Sequence, residues 1–427
     1  MSVVDDKSTQ ENAADFKLSK LIGPGLMVAA AGIGAGDMVS ATMGGAGYGL
    51  TILWAVALAA FLKCFLNEGI ARWQLATNTT AIEGWCSQMP WWVRTYFGIY
   101  LVIWTGFVTA ALMNACGLGI ENLTGGTIPR SWGAVLHSVI GAVFVLIGGF
   151  KGFEKIMKAL ITAMFFSILS CAVLTFHDPV AFLKGLALPS IPAGAGATVL
   201  SVLGGIGGSI TMLAYNYWIR EEKMVGPRWV KYIRADITIA YVFTALFGIA
   251  VMSIANQAFH TTGTQITNAT AVTRMAQTLG ATIGPIGFWA YSIGFWAAVF
   301  ASLLGVWQSV PYLFADFWGL IRRYPENVRA EITKTTSTPY RMALLYVTLA
   351  PMPFAFMNAP LQIVRAYTIV GSLFIPFLAA TLLYLNNRRL PTDTGVNRNS
   401  IFVNAVLILA LILFALVGAR EAGLLRI

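Results

Sequence analysis

Eleven runs of about 20 apolar residues follow one another along this chain. Each is long enough to cross a bilayer as a helix, the open-chain structure that satisfies its own backbone polar groups where water is absent. The windows cover about 21–43, 48–72, 95–118, 131–150, 156–176, 198–219, 233–256, 283–317, 340–358, 361–386 and 401–420. The eighth is long and is expected to begin with a loop or short helix before Trp289. With 57% hydrophobic and 11% charged residues, the composition lies far from that of a soluble globular protein. The reading is an all-α integral membrane protein of about 11 transmembrane helices in the cell inner or plasma membrane.

The net charge of +10 invites a nucleic-acid reading. The distribution of the charges opposes it. With the N-terminus inside, most of the 28 Lys and Arg residues fall on the inner side, leaving Arg130, Lys184, Arg274, Arg365, Arg420 and Arg426 outside and Lys63 within a span. That bias orients the chain with its N-terminus cytosolic and its C-terminus outside. The expected partners are the lipid bilayer and a small substrate, not nucleic acid. The polar segment 1–20 reads as a cytosolic tail with no cleavable signal. The cysteines and histidines are too dispersed for a disulfide framework or a His-based metal site. No nucleophile–base pair, phosphate loop or ATPase motif occurs, so neither an enzyme nor a primary pump is expected.

Span one holds "GIGAGD", residues 32–37, and span six holds "GIGGSI", residues 205–210. Asp37 is a carboxylate at membrane depth, costly unless paired or ligated. Gly32, Gly34 and Gly36 in the first string, with Gly207 and Gly208 in the second, permit an interrupted helix whose freed carbonyls face a cavity. Close packing of small residues is the plainer alternative, but it leaves Asp37 unexplained. For "GGAGYG", residues 44–49, packing or a turn is preferred. Two interrupted spans, five spans apart, imply inverted five-helix repeats over 21–180 and 181–388 with a substrate site at the bilayer midplane. Residues 389–427 then hold a cytosolic loop and an additional eleventh helix.

These residues resemble the NRAMP divalent-metal transporters. The likeness runs through "GPGLMVAAAGIGAGD", "GAGYGLTILWAVALAAFLKCFLNEGIARWQLATN", "KYIRADITIAYVF" and "YTIVGSLFIPFLAATLLYLNNR". The resemblance implies a LeuT-type fold with helices one and six broken. It places the family's Asp-Pro-Gly-Asn on Gly34, Ala35, Gly36 and Asp37, so an acid stands where the family has asparagine. It places a span-one carbonyl at Ala31 and a span-six carbonyl at Ser209. The family's Met-Pro-His falls on Met212, Leu213 and Ala214, and its span-ten glutamine near Thr368. The histidine is absent, as are the third-span acids that carry the coupled proton, so proton coupling is in question. The chain is similar to a divergent branch, and a branch related to the family carries magnesium without proton coupling.

A carboxylate with carbonyls and waters suits a hard, partly hydrated Mg²⁺ or Mn²⁺. A thioether from Met212 would favour Mn²⁺, and core packing is the even alternative. The divalent cation is cargo, and no cofactor is expected. Asn216 and Gln308 are candidate cavity groups. Asp236 beside Arg234, and Asp316 near Arg322 and Arg323, are candidate gate groups or solvated helix ends. Lys63 is read as snorkelling or pairing across helices, and Glu68 with Arg72 as an i,i+4 pair. The competing function is a carrier of a small organic solute such as an amino acid, held by helix N-termini at the breaks.

Overall fold

The computed structural model describes residues 29–421 apart from 30 and 267–270. The expected tail at 1–20, the first part of span one and part of the outer loop 257–282 therefore lie outside the described residues.

Among the described residues, nine helices are long and apolar enough to cross a membrane. They correspond to windows two to eight, ten and eleven. Span one is described from Ala29, with its main helix at Ala35–Tyr48. Span nine is shortened to Thr338–Leu349, because a turn at Ala350–Pro351 separates it from the helical turn Met352–Ala355. Proline lacks a backbone donor and clashes with the preceding turn.

The windows misjudged several ends. Span two runs Leu53–Thr77 and stops at Asn78, which adopts a left-handed φ of 55°, a conformation that asparagine tolerates better than most residues. A short helix follows at Ala81–Gln88. Its first turn is fixed reciprocally: Thr80 Oγ1 accepts from Glu83 N–H and Glu83 Oε2 accepts from Thr80 N–H. Span eight is one continuous helix, Pro285–Ile321, passing through Pro311. The expected loop or short helix before Trp289 is instead the first turn of that helix. A separate helix, Ala271–Ile283, occupies the end of the outer loop.

Spans one and six lie at the centre. Almost nine-tenths of span six's apolar window is buried, against a third of span eleven's. Span seven packs on spans one and two, span eight on spans three and five, and span ten on spans one, three and six. The outer face is apolar as a bilayer requires, with Ile147, Phe166, Val173 and Ile286 exposed. The "GGAGYG" string serves both expected purposes. Gly44 and Gly45 let span seven approach, since a Cβ on Gly45 would lie 2.3 Å from Met252 O. Gly49 ends the helix at φ 61°.

Candidate functional site

Span one is interrupted at Ile33–Gly34. Span six is helical over Gly196–Gly205, loses helical geometry at Ile206–Ser209, then resumes as a 3₁₀ turn at Ile210–Leu213 and an α-helix at Ala214–Glu221. Gly207 and Gly208 take φ of 76° and 74°, the left-handed region that glycine enters without steric cost. The two breaks cross in contact. A Cβ on Gly32 would lie 3.2 Å from the Gly207 carbonyl carbon, and one on Gly36 would lie 3.1 Å from Gly205 O.

Asp37 joins them. Its Oδ1 accepts from Gly207 N–H at 2.9 Å, and its Oδ2 accepts from Gly34 N–H at 3.2 Å. Each break frees amide donors that have no helical acceptor, and one fully buried carboxylate takes a donor from both.

The carbonyls expected at this site are already engaged within the protein. Ala31 O accepts from Ser302 Oγ at 2.7 Å, Gly34 O from Met38 N–H at 2.9 Å, and Ser209 O from Met212 N–H at 3.1 Å. Each keeps a second lone pair. Ser209 Oγ accepts from Trp104 Nε1 at 2.8 Å. Met212 is fully buried on the 3₁₀ turn. Thr368 lies on span ten against the first half of span six. Its hydroxyl donates to Arg365 O at 2.9 Å and pairs with Ser201 Oγ at 2.6 Å.

The carbonyls that span six does release, Gly204 O and Ile206 O, hold Lys63. Its Nζ donates to Gly204 O at 2.9 Å and also to Ile206 O. Lys63 is fully buried, so it does not snorkel; it pairs across helices through these span-six carbonyls and interacts electrostatically with Asp37. The only visible signal for it was a lysine in mid-span.

The other candidates separate from this centre. Asn216 is a structural joint rather than a cavity group: its Oδ1 accepts from Ala81 N–H and its Nδ2 donates to Ile70 O. Asp236 accepts from Tyr215 OH at 2.9 Å, and Arg234 pairs with Glu68 at 2.9 Å. Glu68 also pairs with Arg72 at 2.5 Å, the i,i+4 contact the spacing suggested. Asp316 engages Arg329 at 3.1 Å, rather than Arg322 or Arg323, and accepts from Tyr217 OH at 3.1 Å. Arg322 instead lies over the Trp318 ring. Arg329 also pairs with Glu83, which Arg220 approaches at 3.5 Å. The sequence reading missed this cluster; the unread signal was the Thr80–Glu83 spacing of a capping box, which positions Glu83.

The cluster borders a cavity of about 430 Å³ lined in part by Tyr217, Gln308, Tyr312, Asp316 and Arg329. Gln308 Oε1 has no hydrogen-bond partner among the described residues. A second cavity, of about 680 Å³, adjoins Tyr48, His177, Asp178 and Asn256. Neither is lined by Asp37 or Lys63, so the crossing of the breaks is closed to both.

Comparison with known proteins places this architecture. The chain is 25% identical over 273 residues to the divalent metal cation transporter MntH of Pectobacterium carotovorum, covering 61% of this chain and 63% of that one. It is 27% identical over 324 residues to natural resistance-associated macrophage protein 1 of Homo sapiens, covering 66% and 58%. The chain thus spans less than two thirds of the length of these relatives. A crystal structure of an Eremococcus coleocola manganese transporter variant superposes with a TM-score of 0.69 at 15% identity, covering 97% of this chain and 89% of that one. MhsT, crystallised with L-phenylalanine, superposes with a TM-score of 0.62 at 16% identity, covering 93% and 97%. At such identities these two structures share the LeuT-type fold with this chain. The profile of the natural resistance-associated macrophage protein-like family matches residues 25–420, nearly the whole length, and the chain therefore belongs to the Nramp family.

Proposed function

We propose that this protein carries a divalent metal cation across the membrane by alternating access around the crossed breaks of spans one and six. The inverted repeats occupy 21–180 and 181–388. The observation that carries the proposal is Asp37, a fully buried carboxylate bridging both interruptions. A carboxylate at this depth is a functional site by default. Here it is also placed so that movement of either half-helix changes its surroundings. On this reading the second lone pairs of the Ala31, Gly34 and Ser209 carbonyls are the candidate oxygen ligands beside Asp37 for Mn²⁺ or Mg²⁺, with the Met212 thioether favouring Mn²⁺. Transport is not proton-coupled on this reading, since the helix of span three, Trp91–Leu123, carries no acid before Glu121 in its last turn, which accepts from Arg130 N–H.

The test is uptake into proteoliposomes containing a trapped metal-sensitive dye, with Mn²⁺ and Mg²⁺ supplied separately and internal pH followed. Uptake is expected in the wild type with no accompanying pH change. Asp37→Ala is expected to reduce it to the leak of protein-free vesicles while remaining folded by gel filtration. Wild-type rates in Asp37→Ala would sink the site, and folded wild type moving neither ion would sink metal transport.

One observation favours a second reading, the carrier of a small organic solute. The Lys63 ammonium offsets the Asp37 charge, leaving little net attraction for a metal. Both a donor-rich break and a buried ammonium suit a carboxylate-bearing substrate, and the fold is one in which MhsT holds L-phenylalanine. Thermal stabilisation by an amino acid, with none by a divalent metal, selects this reading.

A further inference from the structure

We propose that Lys63 is a resident cation that occupies the carbonyl site at the break of span six, and that a transported metal must displace it. This inference rests on the metal reading above.

The geometry is that of a cation site already filled. Gly204 O and Ile206 O lie where the first half-helix of span six ends, so they carry the partial negative charge of a helix C-terminus and lack intrahelical donors. Broken helices elsewhere use such carbonyls to coordinate transported ions. In this chain both are capped by one ammonium that arrives from span two, 141 and 143 residues away in sequence. The charged group that interacts with that ammonium is Asp37 from span one, and Tyr241 from span seven lies on the same glycine, Gly207. Lys63 and Tyr241 flank Gly207: a Cβ there would lie 3.0 Å from Tyr241 Cε1 and 3.5 Å from Lys63 Cδ. The Tyr241 hydroxyl is buried, interacts electrostatically with Asp37, and has no hydrogen-bond partner among the described residues. Two carbonyls, a carboxylate and an orphaned hydroxyl thus surround Gly207, and the positive charge among them is supplied by the chain.

A tethered ammonium sets a threshold for what can enter. It is present at an effective concentration in the millimolar range or above, and it carries the same charge as Na⁺ or K⁺, so a free monovalent ion gains nothing by replacing it. A dication is drawn to Asp37 and the carbonyls twice as strongly at equal distance and can displace it. Lys63 is thereby a specificity-determining residue, rejecting monovalent cations and lowering affinity for divalent ones.

The experiment compares wild type, Lys63→Met and Lys63→Gln in detergent. Mn²⁺ binding is measured by calorimetry with and without Na⁺, and folding is checked by gel filtration and circular dichroism. Lys63→Gln retains an N–H donor for one carbonyl, which guards against loss of fold in Lys63→Met. The expected result is Mn²⁺ binding tighter than wild type by about tenfold or more once the competing charge is gone, with Na⁺ now competing in the variants and not in the wild type. Folded variants that bind Mn²⁺ no tighter than a Mn²⁺-binding wild type overturn the inference and leave the metal reading standing. Variants that bind Mn²⁺ when the wild type does not would show that Lys63 fills a cation site, but would overturn its displacement by a transported metal together with the metal reading. Folded protein that binds no Mn²⁺ in any form overturns both.

Discussion

Gly207 supplies three things at one position: a left-handed backbone, an amide for Asp37, and room between Tyr241 and Lys63. Gly207→Ala keeps the amide and tests the other two. A side chain in the left-handed region costs about 1–2 kcal/mol, and the added Cβ would press on Tyr241 at 3.0 Å. The variant is expected to melt several degrees below wild type by intrinsic fluorescence, with metal binding weakened. Gly47→Ala is the matching control. Gly47 lies in the regular part of span one with nothing within 4 Å of a Cβ. The change should be neutral or stabilise by about 0.5–1 kcal/mol. Equal melting temperatures for the two variants would show that the break tolerates a side chain.

The short helix Ala81–Gln88 and the helix Glu326–Ile332 meet through Arg329, which serves both Glu83 and Asp316. All three side chains are largely buried, so removal of the cation leaves Asp316 without its ion-pair partner and Glu83 with only Arg220 at 3.5 Å. Arg329→Ala is expected to destabilise by about 3 kcal/mol and to loosen this end of the molecule. Cys86 reports the loosening. It lies on the same short helix beside Glu83 and Arg329, and burial pushes its thiol up to about 12. At pH 7 the thiol is therefore protonated and a poor nucleophile. Maleimide labelling of Cys86, mapped by mass spectrometry, should be slow in wild type and faster in Arg329→Ala, and should rise with pH. Unchanged labelling would mean that Arg329 does not hold this end closed.

Among the described residues the two centrally broken spans lie deep in the molecule, with almost nine-tenths of span six's apolar window buried against a third in spans four, five and eleven. A lipid-facing helix must satisfy every backbone group internally, whereas a broken one is tolerated only inside protein. The positive-inside bias predicts an orientation for this body. The sequence predicts eleven crossings with the N-terminus cytosolic; on that expectation alkaline phosphatase fused after Ile427 should be active and the same enzyme fused after Arg323 inactive. The opposite pattern would invert every inner and outer assignment made from the charges.

Much of the architecture was legible because its causes are local. Hydropathy over some 20 residues marks a span, and the repeated glycine strings marked both interruptions. Asp37 stood out because a lone carboxylate in an apolar run requires an explanation. The chain could not reveal which partners the freed groups take. The carbonyls offered by Ala31, Gly34 and Ser209 are engaged by neighbours, those of Gly204 and Ile206 are held by Lys63, and Asp316 meets Arg329 rather than the nearer Arg322 or Arg323. Local patterning determined the spans and the positions of their breaks. Only the tertiary structure decided what fills the breaks, because a buried polar group is satisfied by whichever donor or acceptor packing brings within about 3 Å, and sequence distance has no bearing on that choice.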